Sequence, residues 1–259
     1  MEAAMILAIV QARMASTRLP GKVLKTVKGK ALIGILLERL KRSRTIDKIV
    51  LATTIEKSDD ELYDYVKKLG VEAYRGDEND VLDRFYKAAR AASADTVVRI
   101  TGDCAIIDYK VVDKVVEKYL EGGFDYVSNV NPPTYPDGLD AEVFSFAALE
   151  TAWKSAKLKS EREHVTPYII NSPQFKKANV SGESDHSKER WTVDNDEDFV
   201  LISKIIEKLY TEGDYFDMQD VLKLEKDNPD LFEVNKHIAR NEGLAKSLKN
   251  DAQVKKKNG

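Results

Sequence analysis

Three cationic side chains lie close together near the N-terminus: Arg13, Arg18 and Lys22. The small residues between them are Ser16, Thr17 and Gly21. Small side chains let backbone N–H groups approach phosphate oxygens, while arginine and lysine neutralise the phosphate charge. The segment follows an apolar run that is typical of a buried strand, and ligands of open α/β sheets bind beyond the carboxyl ends of strands. The spacing therefore predicts a polyphosphate-binding loop.

The residue types of this loop suggest two other interpretations. The pair Gly21-Lys22 resembles the end of a P-loop, but that motif needs glycine where Ser16 stands and Ser or Thr where Val23 stands, which excludes it. A solvated basic turn is the alternative that the residue types leave open, because most charge runs lie on a solvent-exposed surface.

Two aspartates that follow apolar runs are candidate metal ligands. Asp103 comes directly after such a run, in Thr101-Gly102-Asp103, and Asp194 ends another, in Trp191-Thr-Val-Asp. Carboxylates beside a bound triphosphate suit Mg²⁺, which prefers oxygen ligands and water. The alternative is helix capping, for which Asp108 is better placed than Asp103. The acids after Asp194 fit a helix N-terminus.

The elements that must position these residues alternate in type through the first half of the chain. Apolar runs predict strands at 5–12, 48–53, 71–74, 95–100 and 124–128, and 3.6-residue periodicity predicts helices at 31–42, 58–69, 79–92 and 109–120. This βα alternation predicts the three-layer α/β/α class with a mostly parallel sheet, similar to the Rossmann type.

The second half is less regular. A proline-rich loop at 131–138 is followed by a predicted strand at 139–144, helices at 145–157 and 160–171, strands within 174–193, and helices at 197–209 and 217–226. We expect one domain over 1–246, with 131–190 as an insertion on the acceptor side or for dimerisation. The charged tail 247–259 is expected to be disordered.

Composition narrows the class of protein. The 259 residues carry 41 Lys and Arg against 44 Asp and Glu, so the net charge of −3 argues against a dedicated nucleic-acid binder. Cys104 is the single cysteine, which excludes an intrachain disulfide and favours a reducing cytoplasm. The apolar run near the N-terminus is too short for a signal peptide or a membrane span.

Several motifs in a fixed order carry a resemblance to a known family. They are Gln11-Ala-Arg-Met14, Ser16-Thr-Arg-Leu-Pro-Gly-Lys22, Asp80-Val-Leu-Asp-Arg84, Arg99-Ile-Thr-Gly-Asp103, Tyr135-Pro-Asp-Gly138, Glu161-Arg-Glu-His-Val-Thr-Pro-Tyr168 and Trp191-Thr-Val-Asp194. The chain resembles the cytidylyltransferases, which include the CMP-Kdo and CMP-sialic acid synthetases and the SpsF-type proteins of spore-coat polysaccharide synthesis. The SpsF-type branch is most similar, whereas the sugar-acid synthetases differ in pattern around 75–84.

The resemblance implies a nucleotide-diphosphosugar-transferase fold and an Mg²⁺-dependent transfer of CMP from CTP to an acceptor, with release of pyrophosphate. It implies that Arg13, Lys22, Asp103 and Asp194 are catalytic, the two aspartates holding Mg²⁺. The nucleotide-binding residues that it implies are Gln11, Ala12, Arg13, Ser16, Thr17, Arg18, Lys22, Asp80, Arg84, Thr101 and Gly102. Related synthetases pair through strand insertions, which implies a homodimer through 174–189.

The acceptor side is predicted from the region after the proline-rich loop, because such loops often frame pockets. The candidates are Tyr135, Asp137, Asp140, Glu142, Arg162 and His164. Ordinary turn chemistry is the alternative for Asp137-Gly138, and packing or capping is the alternative for His164. The resemblance implies an acidic sugar or a small phosphorylated acceptor, in the synthesis of surface polysaccharide or glycoconjugate precursors. Cys104 is expected to be a small buried residue rather than a nucleophile.

Two alternative functions remain open. A glycosyltransferase of similar fold would use a nucleotide sugar and two aspartates close in sequence, whereas Asp103 stands alone. A non-catalytic nucleic-acid-binding module would use the basic residues Arg39, Lys41, Arg42 and Arg44, although cations are favourable near a helix C-terminus in any case.

Overall fold

A computed structural model describes residues 4–240 and 242–257. In that part of the chain the strands are β1 (Ile6–Gln11), β2 (Thr26–Val27), β3 (Lys30–Ala31), β4 (Lys48–Thr54), β5 (Glu72–Gly76), β6 (Thr96–Thr101), β7 (Tyr126–Ser128), β8 (Glu142–Ser145) and β9 (Lys177–Asn179). The helices are α1 (Leu32–Leu40), α2 (Asp60–Lys68), α3 (Val81–Ala91), α4 (Tyr109–Leu120), α5 (Phe146–Ser155), α6 (Lys159–His164), α7 (Pro167–Asn171), α8 (Asp196–Leu209), α9 (Met218–Asp227), α10 (Pro229–Phe232) and α11 (Glu242–Lys257).

Seven strands form the main sheet in the order β5-β4-β1-β6-β8-β7-β9. The pairs β5–β4, β4–β1 and β1–β6 are parallel, and β8 runs antiparallel to both of its neighbours, β6 and β7. The prediction of a mostly parallel sheet between helices is therefore confirmed. The first loop, Asp103 and the end of β4 all lie at one edge, because the parallel strands end there together.

The alternation of β1 explains the three layers. Ala8 and Val10 pack into the apolar cluster that contains α1, α2 and α4, whereas Leu7 and Ile9 pack into the cluster that contains α3, α5 and α7. Successive side chains of a strand point to opposite faces of the sheet. A continuous apolar run such as β1 therefore supplies apolar side chains to the clusters on both faces.

A third apolar cluster positions the later part of the site. Leu32 and Ile35 of α1 pack with Ile202 and Ile205 of α8 and with the fully buried Trp191. This packing fixes the start of α8 beside the sheet edge, although α8 is distant from the first strands in the sequence.

The structure differs from the predicted elements in two places between 160 and 193. The single helix expected over 160–171 is divided into α6 and α7, because Val165 adopts a positive φ of 70° and Pro167 begins a new helix. Only β9 forms where strands were expected within 174–193. Residues 182–189 are polar, and Arg190 forms only an isolated parallel bridge with Asp137, beside its side-chain ion pairs with Asp137 and Asp198.

The prediction of a disordered tail from residue 247 is corrected for residues 247–257, which belong to α11. Contacts with α6 account for this helix: Asp251 accepts a hydrogen bond from the Ser160 N–H at 3.2 Å, and the Ser247 hydroxyl contacts Glu163 at 3.0 Å. Residues 258–259 lie outside the described residues. None of the helices described has the length and apolarity needed to cross a bilayer.

Candidate active site

A cleft of about 920 Å³ opens at the carboxyl edge of β1 and β6. The loop after β1, residues 12–24, forms one wall, and Asp103 and Asp194 lie on the wall beside it. The structure brings most of the predicted residues to this cleft, namely Gln11, Ala12, Arg13, Ser16, Thr17, Arg18, Lys22, Arg84, Thr101, Gly102, Asp103, Asp137, Asp140, Glu142, His164 and Asp194.

Lys22 lies between the two predicted metal ligands. Its Nζ is 3.3 Å from Asp103 Oδ2 and 2.7 Å from Asp194 Oδ1, and it also donates to the Val193 carbonyl at 2.7 Å. Burial alone would lower the pKa of this ammonium, but the two carboxylates outweigh that effect and raise it. The two aspartates, which are 91 residues apart in sequence, thus face one cation-binding position.

Three cations surround the Asp194 carboxylate. Arg18 Nη2 lies 2.8 Å and Arg190 Nη2 lies 3.3 Å from Asp194 Oδ2, in addition to the contact with Lys22. Burial acts to raise the pKa of Asp194, yet these cations lower it to about 2. Asp194 is therefore ionised across the physiological pH range.

The donor set of this position fits Mg²⁺. Asp103 and Asp194 supply hard carboxylate oxygens on either side of a point that already attracts an ammonium group. Within residues 4–240 and 242–257 no group of three or more His, Cys, Asp or Glu side chains is arranged to enclose a metal. An ion here would complete its shell with water and substrate oxygens, as Mg²⁺ usually does beside phosphates.

Arg190 is a site residue that the sequence analysis missed. Its side chain, only 6% exposed, donates to Asp198 at 2.9 and 2.8 Å and to Asp137 at 2.9 Å. Asp198 in turn accepts the backbone N–H groups of Asp194 and Asn195, as a residue in the first turn of α8 does. This network fixes the direction of the Asp194 carboxylate. A lone arginine after a polar loop gives no signal of such a role.

Gly102 allows the ends of β1 and β6 to approach closely. A Cβ at this position would lie 2.6 Å from Ala12 Cβ and 2.9 Å from the Gln11 carbonyl oxygen. The Gly102 N–H donates to that carbonyl at 2.8 Å. Only glycine leaves the backbone of both strands open at the edge where the nucleotide-binding residues meet.

Arg84, like the cationic loop, points to a ligand that is anionic or accepts hydrogen bonds. Its side chain lines the cleft, yet the residue is only 3% exposed, and its Nε and Nη1 have no hydrogen-bond partner in the described structure. The pKa of Arg84 is lowered, mainly by burial and also by the positive charge of the nearby Arg13. Buried donors without partners are costly, so a bound ligand that accepts hydrogen bonds would stabilise this arrangement.

The acceptor-side candidates Glu142 and His164 also lie in the cleft. Glu142 pairs with Arg99 and accepts hydrogen bonds from the hydroxyls of Tyr126 at 2.6 Å and Thr166 at 2.7 Å. His164 Nε2 is 3.1 Å from the Ser247 hydroxyl, and its pKa is lowered by burial and then by Arg99. The histidine is therefore neutral at neutral pH.

Three predicted residues lie elsewhere. Asp80 caps α3 by accepting the Asp83 N–H at 2.9 Å, and it pairs with Arg162, which also donates to the Trp153 carbonyl at 2.7 Å. The Asp80 carboxylate and the Arg162 guanidinium thus neutralise each other, and neither side chain lines the cleft. Tyr135 is buried in the third apolar cluster and packs there as a core residue.

Three other residues discussed from the sequence have structural roles. Asp108, rather than Asp103, caps α4, as predicted. Cys104 is buried, and burial raises the pKa of its thiol well above the usual value, as expected of an inert residue. Arg39 is buried and donates to the carbonyls of Ile106, Ile107 and Phe216, so it does not present its charge to a nucleic acid.

Comparison with known proteins gives the family. The cytidylyltransferase family model matches residues 7–238. Protein MJ1063 of Methanocaldococcus jannaschii is 41% identical over 236 residues, which is 90% of this chain and 95% of that protein. The spore coat polysaccharide biosynthesis protein SpsF of Bacillus subtilis is 33% identical over 233 residues, 87% of this chain and 95% of that protein.

A solved structure agrees with these sequence matches. The cytidylyltransferase from Leptospira borgpetersenii serovar Hardjo-bovis is 35% identical and superposes with a TM-score of 0.84, covering 89% of this chain and 97% of its own. The family model and both relatives span nearly the whole chain. The chain therefore belongs to the cytidylyltransferase family and is a nucleotidyltransferase.

Proposed function

We propose that this protein transfers CMP from CTP to an acidic sugar or a small phosphorylated acceptor and releases pyrophosphate. The observation that carries the proposal is the placement of Lys22, at the end of the cationic loop, between Asp103 and Asp194. Phosphate-binding cations and oxygen ligands for a divalent metal thus meet at one point, as transfer of a nucleotidyl group requires.

The loop after β1 is proposed to bind the triphosphate. Arg13, Arg18 and Lys22 all line the cleft, and Ser16 and Thr17 leave its backbone accessible between them. An acceptor oxygen attacks the α-phosphorus in line, and negative charge grows on the phosphoryl oxygens and on the leaving pyrophosphate. The loop cations stabilise that charge, which is where electrostatic catalysis acts most strongly.

Asp103 and Asp194 are proposed to hold Mg²⁺. When bound, the ion would add Lewis-acid stabilisation of the phosphoryl oxygens. Three cations already contact the Asp194 carboxylate, so a bound metal would compete with them for its oxygens. The phosphates would in turn attract the same cations. We infer that Lys22 and Arg18 turn from this carboxylate towards the triphosphate when the nucleotide binds, because both side chains reach the same space.

The buried face of the cleft is proposed to bind the rest of the nucleotide. Gln11, Ala12, Thr101 and Gly102 form its floor, and Arg84 offers unpartnered N–H donors beside it. Cytosine presents O2 and N3 as acceptors, which match a guanidinium group. Asp80 would contribute only indirectly, by capping α3, the helix that carries Arg84.

The acceptor is proposed to lie towards Asp137, Glu142 and His164. A sugar hydroxyl would need a general base, but Asp194, with a pKa of about 2, is a weak one. An acceptor whose attacking oxygen is already anionic needs no base. The low pKa of Asp194 thus argues against a hydroxyl acceptor that relies on Asp194 as its base.

A screen for pyrophosphate release tests the proposal. The protein would be incubated with Mg²⁺, each of the four ribonucleoside triphosphates, and a panel of sugar acids, sugar phosphates and small phosphates. We expect pyrophosphate from CTP with one acceptor class, together with a CMP conjugate detected by mass spectrometry. Release of a nucleoside diphosphate from a nucleotide sugar, without pyrophosphate from CTP, would instead indicate a glycosyltransferase.

A homodimer through 174–189 is part of the proposal. The terminal strand β9 lies in this segment and pairs on one side with β7, and its outer edge has no strand neighbour within the described residues. An open edge can pair with another chain. The cytoplasmic location stays a prediction from the cysteine content.

A further inference from the structure

Asp59 is a buried carboxylate that does not line the cleft. It ends the short turn Lys57–Asp59 before α2, is 1% exposed, and has no cationic side chain within 4.0 Å in the described structure. A buried carboxylate is unfavourable unless hydrogen bonds satisfy it. Here the donors are the Met14 N–H at 2.6 Å, the Thr54 N–H at 3.2 Å and the Thr54 hydroxyl.

The bond to Met14 extends the link between β1 and β4 into the first loop. Regular contacts between these segments end where the Ala12 N–H donates to the Ala52 carbonyl at 3.2 Å. Two residues later, the Asp59 carboxylate takes the Met14 N–H. Arg13 lies between these two anchored points, so its backbone is fixed on both sides.

The carbonyl of Met14 holds the loop from within. It accepts the N–H of Ser16 at 2.9 Å and the N–H of Gly21 at 2.9 Å. Gly21 adopts φ 68°, which glycine tolerates and which turns the chain back towards Met14. The backbone of a single residue, Met14, whose N–H is held by Asp59, therefore sets the positions of the segments that carry Arg18 and Lys22.

We propose that Asp59 is the positioning residue of the triphosphate-binding loop. It holds that loop in its binding conformation before the nucleotide arrives, so that binding does not have to order it. This inference rests on the proposed function. Preorganisation of this kind raises affinity because the entropy of ordering the loop is lost during folding rather than during binding.

Three variants separate positioning from general stabilisation. Asp59→Ala removes every contact, including the one to Met14. Thr54→Val is the matched control, since it removes a donor to the same carboxylate and leaves the Met14 bond in place. Asp59→Asn keeps one oxygen for the Met14 N–H. We would measure the Kd of CTP with Mg²⁺ by calorimetry and the urea midpoint of each protein.

We expect Asp59→Ala to weaken CTP binding by about 10- to 100-fold, while Thr54→Val and Asp59→Asn stay within about 3-fold of the wild type. Equal binding by Asp59→Ala and the wild type would overturn the proposal. A loss of affinity in all three variants that follows their urea midpoints would also overturn it.

Hydrogen exchange in the wild-type protein gives a second test, which does not depend on the variants folding. We expect the Met14 amide to exchange as slowly as the amides of β1, and the Ser16 and Gly21 amides to be protected with it. Rapid exchange at Met14 would overturn the proposal. If the wild type binds no nucleotide but protects Met14, the proposed function fails while the anchoring by Asp59 stands.

Discussion

Among single residues, Lys22 makes the contacts that define the cleft. It balances two carboxylates that would otherwise repel each other, and it brings positive charge to the end of the loop that we assign to the triphosphate. Without a ligand, Lys22 thus stabilises the two carboxylates. With the nucleotide bound, we expect it to neutralise phosphate charge. The two aspartates differ in their ion pairs: in the described part of the chain, Asp194 also contacts Arg18 and Arg190, whereas Asp103 pairs with Lys22 alone.

Replacement of Asp103 tests its proposed role as a metal ligand. We expect Asp103→Asn to fold normally, because Lys22 keeps its closer contact with Asp194. We expect Mg²⁺-dependent turnover to fall by about 100-fold or more, by analogy with the loss of other groups that stabilise transition-state charge. Pyrophosphate release at saturating CTP measures the effect.

Asp108→Asn is the matched control for that experiment. Asp108 lies on the same β6–α4 connection but caps α4 and contacts Tyr215 and the Met218 N–H. Its replacement should lower the urea midpoint and leave turnover nearly unchanged. Wild-type turnover by Asp103→Asn would remove Asp103 from the metal role.

Asp140 predicts a pH dependence of stability. Burial raises the pKa of this carboxyl to about 7, against the effect of its partner Arg240. The folded protein therefore holds the proton more tightly than the unfolded chain, so this group's contribution to the free energy of unfolding decreases as the pH rises from about 4 through 7.

Asp140→Asn removes that proton. We expect the free energy of unfolding of the variant, relative to the wild type, to increase by on the order of 2 kcal/mol between pH 4 and pH 8. Urea unfolding of both proteins in EDTA at the two pH values measures this difference. If the two proteins change in parallel, other groups are responsible for the pH dependence.

Among the elements, the close approach of β1 and β6 shapes the floor of the cleft. The two strands pair in register up to Gln11 and Thr101, and Gly102 continues the contact beyond the last paired residues. The loop with the cations and the turn with Asp103 begin at these strand ends. Their separation is consequently set by the packing of the sheet.

We expect Gly102→Ala to destabilise the protein by about 1 to 3 kcal/mol, because the added Cβ would overlap Ala12 and the Gln11 carbonyl. The strand ends must move apart, so CTP affinity should fall as well. Gly243→Ala in α11, at another glycine that lines the cleft, is the control, since a Cβ there meets no atom of the described residues within 4 Å. Urea unfolding and calorimetry compare the two, and equal effects would show that the close approach at Gly102 is unimportant.

In the molecule as a whole, the unpaired edge of β9 predicts self-association. We expect sedimentation velocity at micromolar concentration to give the mass of a dimer of the 29.2 kDa chain. Lys177→Pro would remove an outward-facing backbone donor from β9, because the Lys176 carbonyl and the Val180 N–H on either side are the groups that pair with β7, and it should shift the equilibrium towards monomer. A monomer in the wild type at that concentration would contradict the proposed dimer.

Much of the candidate site was predictable because its residue types are distinctive. Arg13, Arg18 and Lys22 follow a buried strand, and Asp103 follows another, so the edge of a parallel sheet brings them together. Arg190 and Asp59 could not be predicted in this way. Asp59 acts through Met14, far away in the chain, and Arg190 joins the distant Asp137 to the nearby Asp194 and Asp198, an arrangement that no local pattern encodes.

The sequence by itself determined the α/β alternation, the sheet edge at which the site lies and the cationic loop, because periodicity and charge are local properties. Only the tertiary structure decided that Lys22 lies between Asp103 and Asp194, that Arg162 and Asp80 pair with each other, and that α11 is ordered against α6. These outcomes depend on distances between segments far apart in the chain. Such distances are set by the simultaneous packing of three apolar clusters.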